Sequence, residues 1–116
     1  MALTTAAKVR NRLNIETFQA TDATIADFIA DSDGLIQHTL GSLPTAADNN
    51  YELAVSVSTG LAAYYTGTQL PYPENAEEAT SWFNKIGSIY SIANKNLAVL
   101  GGVQSPVPVA KSTTVD

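Results

Sequence analysis

Cysteine is absent from these 116 residues, which excludes disulfide cross-links, thiolate metal sites and thiol nucleophiles together. The fold must hold by packing alone, and a reducing cytoplasm suits it. Charge is scarce as well: charged residues make up 15% of the chain, well under the usual quarter, so much of the surface falls to Ser, Thr, Asn and Ala. Cations are the scarcer sign, with Lys+Arg at 6 against Asp+Glu at 11 and a formal net charge of -5. That balance excludes the broad basic surface by which proteins neutralise phosphates, so tight nucleic-acid binding is not expected. Long apolar runs are missing too. Lys8, Arg10 and Arg12 are followed by none, so neither a secretory leader nor a membrane anchor is expected. The chain has no Asn-x-Ser/Thr acceptor, no phosphate-binding glycine loop, no zinc-ligand spacing and no G-x-S-x-G nucleophile turn.

What is present suffices for one core: 45% hydrophobic residues in a chain of ordinary single-domain length. Thr4 or Thr5 can cap a short first helix to about Leu13, with Val9 and Leu13 four apart on one side. Thr21 or Asp22 caps a second helix whose Ile25, Phe28, Ile29, Ile36, Leu40 and Leu43 recur at threes, fours and sevens. The register runs through Gly34 and predicts a single helix, stopped at Leu43-Pro44 because proline cannot donate the next hydrogen bond. Asn49 and Glu52 have capping-box spacing for a third helix, expected to end near Thr66-Gly67. Pro71 and Pro73 make a rigid connection, and Asn75 with Glu78 repeats the capping spacing before the fourth and longest helix. Its Ala79, Trp82, Phe83, Ile86, Ile89, Tyr90, Ala93, Leu97 and Leu100 keep a clear period up to Gly101-Gly102. At 1.5 Å per residue it spans about 40 Å, more than a small domain's own core needs, which leaves part of it for a partner.

The remaining tail has no helical period and contains Pro106 and Pro108. In an extended strand both prolines remove donors from one edge, while Val107 and Val109 keep theirs on the other. Val103, Val107 and Val109 share one face of such a strand, an apolar surface to press onto something. Its length gives a reach of roughly 50 Å. The fold class expected is therefore all-α: a small four-helix domain over residues 1–101 with a long C-terminal helix, and an extended tail arm over residues 102–116.

Candidates for chemistry reduce to bland readings. His38 is the only histidine and has no carboxylate one helical turn away, so it reads as a surface residue. Asp31-Ser32-Asp33-Gly34 fails as a calcium loop because Gly34 falls at position four and Leu35 at position five. Asp27, Asp31 and Asp33 read instead as a solvated acidic side of the second helix. Glu74, Glu77 and Glu78 suit the positive end of the fourth helix dipole. Trp82, Phe83, Tyr64, Tyr65 and Tyr90 lack the cationic groove of a base-stacking platform, so they read as core and interface packing. No metal, cofactor or catalytic set is expected.

The stretch Leu3-Thr4-Thr5-Ala6-Ala7-Lys8-Val9-Arg10-Asn11-Arg12-Leu13-Asn14-Ile15 is followed by Thr21-Asp22-Ala23-Thr24-Ile25-Ala26-Asp27-Phe28-Ile29-Ala30-Asp31 and then Ile36-Gln37-His38-Thr39-Leu40-Gly41. This order resembles the head-tail connector (head-completion adaptor) proteins of tailed viruses. They open with a short Lys-Val helix closing in Leu-x-Ile, an acidic turn, and a long Ile-rich helix ending at Thr-x-Gly. The likeness covers about residues 3–41, and beyond them only helix order. Gly34, the loop from Leu43 to Asn50 and the valine-proline tail depart from the pattern. The resemblance implies a virion structural protein without enzymatic activity, assembled in the host cytoplasm and placed at the virion neck. Its implied partners are copies of itself in a ring, commonly of twelve, the portal above, and the next tail-side connector or tail-completion protein below. The genome would pass through without specific binding. Contact residues expected for assembly are Trp82, Tyr90 and Leu97 on the long helix and Val103, Val107 and Val109 on the tail. A cellular helical interaction module is the competing expectation, and an enzyme working through paired carboxylates a third.

Overall fold

The computed structural model describes residues 2–71 and 74–102, and every regular element among them is helical. The all-α, four-helix expectation holds. The tail beyond Gly102, with Val103, Val107 and Val109, lies outside the described residues.

Helix α1 (Ala6–Leu13) begins after Thr5, whose hydroxyl accepts from the Lys8 N–H, and ends at Asn14 in the left-handed conformation, φ 59°. A short 3-10 turn (Thr17–Gln19) then leads to α2 (Asp22–Leu40). Arg10 fastens this link, donating twice to the Ala20 carbonyl and pairing with Asp22. Thr21 caps α2 by accepting from the Thr24 N–H, and the helix continues unbroken through Gly34. It stops earlier than the proline predicts. Gly41 adopts φ 88° and its N–H returns to the Gln37 carbonyl at 2.7 Å, so glycine ends the helix before Leu43-Pro44 can.

The start of α3 (Tyr51–Gln69) also differs from the capping-box expectation. Asn50, not Asn49, holds the cap position and makes no side-chain cap bond. The chain is turned instead by Asp48, whose carboxylate accepts from the Thr45 N–H at 2.8 Å and whose carbonyl receives the Tyr51 N–H. The far end passes through Thr66-Gly67 to Gln69, because Gly67 is a contact and not a terminator. A methyl placed there would lie 2.9 Å from Ile86 Cγ2, so its absence admits the last helix. That helix, α4 (Ala76–Leu100), is capped as expected: Asn75 Oδ1 accepts from the N–H groups of Glu77 and Glu78.

Helix α3 is the axis of the molecule, buried on most sides and built of small residues where its neighbours come close. Toward the N-terminal half of α3, Leu3, Ile36, Leu61, Ala93 and Leu100 gather around Ala54 and Val57; toward its C-terminal half, Val9, Leu13, Ile25, Ile29 and Ile86 gather around Ala62 and Ala63. Helices α2 and α4 flank α3 and have little contact with each other, meeting where Thr39 approaches Gly101. The result is a slab of 51 × 34 × 17 Å, about two helices thick.

Candidate assembly surface

Helix α4 buries a narrow stripe. Ile86, Ala93 and Leu100 are its only buried residues, spaced by seven, or about two turns, so they share one side against α3. A step of one residue is about 100° around the helix axis, so Ile92 and Val99 stand well to one flank of that stripe. They are 59% and 53% exposed. Phe83 and Tyr90, 51% and 38% exposed, stand about 60° to the other flank. Thus from Ile86 to Leu100 the excess of α4 over the core is a face along its length, not a projecting end. Lys95 lies between Ile92 and Val99 in sequence and has no hydrogen-bond or ion-pair partner among the described residues. Lys85, farther back, is occupied: its Nζ donates to the Leu13 carbonyl at 2.6 Å and sits 5.8 Å from the Trp82 ring centroid.

The three assembly residues expected on this helix do not form one patch. Trp82 is half-buried against the cluster that holds Ile86, and Leu97 is half-buried against the cluster that holds Leu100. Of the three, Tyr90 alone is exposed, and its ring stacks on Tyr64 with centroids 4.1 Å apart. Tyr64 continues edge-on to Tyr65, and Tyr65 meets Phe28, so the aromatics pack helix against helix. Burial pushes the Tyr65 phenol above its ordinary value, with Tyr90, Asp31 and Tyr64 adding to the shift. Ile92 and Val99 were legible but easily overlooked: they repeat at seven, out of register with the buried stripe.

The outward side of α2 is of opposite character. Asp27 and Asp31 are exposed one turn apart, and next to them run the small residues Ala26, Ala30 and Gly34. Ala26, Ala30 and Gly34, with Ile29 and with Ala2, Thr4, Thr5 and Ala6 of the N-terminal segment, line a shallow open groove that Asp27 and Asp31 do not enter. A methyl at Gly34 would meet nothing within 4 Å, so no contact among the described residues requires a glycine there.

The solvated reading of Asp33 is overturned. It is 7% exposed, its Oδ2 accepts from the Leu3 N–H at 3.0 Å, and its Oδ1 accepts from the Ser58 hydroxyl at 2.7 Å. Beside it the Thr4 and Thr59 hydroxyls share a hydrogen bond of 2.6 Å. This polar node holds the N-terminal segment across α2 and α3, and both carboxylate oxygens are engaged in it. The signal was present, since Ile29, Ser32, Asp33 and Ile36 follow the three-four spacing that marks one buried side.

Among the described residues no group of three or more His, Asp or Glu side chains is placed to hold a metal, and no helix is long and apolar enough to cross a membrane. His38 is exposed on α2, away from the node. No known protein family, curated protein or solved structure matches this chain.

Proposed function

We propose that this chain is a non-catalytic virion subunit, a head-tail connector that assembles with copies of itself into a ring under the portal of a tailed virus. The observation that carries the reading is one side of α4, where Ile92 and Val99 remain more than half exposed among the described residues. Scattered surface apolar residues are ordinary, but two aligned ones beside Lys95, which has no partner among the described residues, form a patch suited to another protein. The resemblance across residues 3–41 supplies the context of portal, ring and tail-side neighbour. Net charge of -5 per copy suits a conduit that repels the duplex and lets it slide.

Electron microscopy and native mass spectrometry of the full chain, alone and with the portal protein encoded nearest its gene, test the proposal. The expected result is a ring, free or seated on the portal. A monomer that never decorates the portal, from a locus without capsid and tail genes, would transfer the reading to a cellular interaction module.

A further inference from the structure

We infer that the outward side of α4 in one copy docks into the outward side of α2 in a second copy, a head-to-tail contact centred on Ile92, Lys95 and Val99 against Asp27, Ala30 and Gly34. Four observations meet in it. The apolar pair on α4 is exposed and two turns long, and the small residues Ala26, Ala30 and Gly34 run for two turns along one wall of a shallow groove between α2 and the N-terminal segment. Charge is complementary: Lys95 has no partner among the described residues on the first surface, while Asp27 and Asp31 are exposed on the second. Gly34 weakens an exposed helix by up to about 1 kcal/mol relative to alanine without serving any contact among the described residues, which fits a close approach from outside. Finally, α2 and α4 each pack chiefly on α3 and touch each other little, so among the described residues the two surfaces do not cover one another.

Because the patches differ, the contact is heterologous. Such contacts propagate from copy to copy and close into a ring when the rotation between neighbours permits, whereas a two-fold contact stops at a dimer. The inference rests on the proposed function only in taking the chain to self-associate; it needs neither portal nor virus.

The cysteine-free chain makes the test clean. Full-length Gly34→Cys and Val99→Cys variants are treated with a short bismaleimide, separately and mixed. The mixture is expected to give a cross-linked dimer, each variant alone none, and the double variant a ladder of multimers. Cross-linking of either variant alone would replace the inference with a two-fold contact, and no cross-link in any sample would overturn it. In a second arm, Lys95→Glu is expected to weaken self-association on the order of tenfold, with recovery when mixed with Asp27→Lys/Asp31→Lys. Unchanged association on charge reversal, with circular dichroism showing intact folding, would also overturn it. Both arms use the isolated protein, so their failure is distinct from a failure to bind a portal.

Discussion

Replacing Asp33 by alanine tests the account of how the N-terminal segment is held. The carboxylate is buried and accepts from two donors, the Leu3 N–H and the Ser58 hydroxyl, both in buried surroundings. Hydrogen bonds to a charged group contribute roughly 1.5–3 kcal/mol each, and a buried donor left without an acceptor costs about 1–3 kcal/mol. Relief of the desolvated carboxylate offsets part of the loss, which leaves about 3 kcal/mol of destabilisation. For a domain of this size that lowers the melting temperature by roughly 10–20 °C. Urea and thermal unfolding followed by circular dichroism measure it directly. Ser58→Ala removes one of the two donors and is expected to cost about 1–2 kcal/mol. The double variant should fall short of the sum, because both changes delete the same bond. Asp31→Ala, two residues away but exposed, should stay within about 0.5 kcal/mol. If Asp33→Ala cost no more than Asp31→Ala, the buried node would have no part in stability and the solvated reading would return.

Gly67→Ala is expected to destabilise by at least about 1 kcal/mol, since its methyl would press on Ile86 Cγ2 at 2.9 Å, whereas Gly87→Ala, with nothing within 4 Å, should stabilise by up to about 1 kcal/mol; paired urea titrations compare them. The Thr66 hydroxyl is buried without a hydrogen-bond partner, so Thr66→Val should raise stability by about 1 kcal/mol in the same assay. The folded state raises the Tyr65 pKa, so its contribution is intact below the unfolded value of about 10 and is lost as pH climbs from there through the folded value. Tyr65→Phe should therefore flatten the alkaline fall in melting temperature, and an unchanged fall would refute that assignment. Deleting residues 103–116 should leave the melting curve where it was, because that segment carries two prolines and no helical period to add to a helical core, while ring formation seen by electron microscopy should weaken.

Four helices were legible because their apolar residues recur with helical period and because Thr5, Thr21 and Asn75 are caps of the common kind. The misplaced ends share a physical cause. Gly41 and Gly67 are both glycines near a helix end, yet one supplies a left-handed cap and the other a space for Ile86, and only the position of a second helix distinguishes them. Asn49 and Asn50 are equivalent cap candidates in sequence, each with a side-chain oxygen able to accept from a helix N–H, and the Thr45–Asp48 turn decides which of them precedes the helix. Trp82 and Leu97 stood out as large apolar residues on a long helix, but size does not tell a residue that seeks a partner from one that already has one in the core.

Register does tell them apart. A helix lying on one neighbour buries one stripe, and any apolar residue off that stripe is unexplained by the chain's own fold. On α4 the buried stripe is Ile86, Ala93 and Leu100, and a seven-residue step from Ile92 reaches Val99 without joining it. On α2 the converse holds: Gly34 lies on the open side, where glycine weakens the helix and gains no contact. Each feature is a local conflict between propensity or burial and the single chain, and such conflicts gather where a sequence serves something besides its own fold. That the two lie on different helices, one beside a lysine and the other beside aspartates, is what would let a neighbour of the same kind resolve both at once.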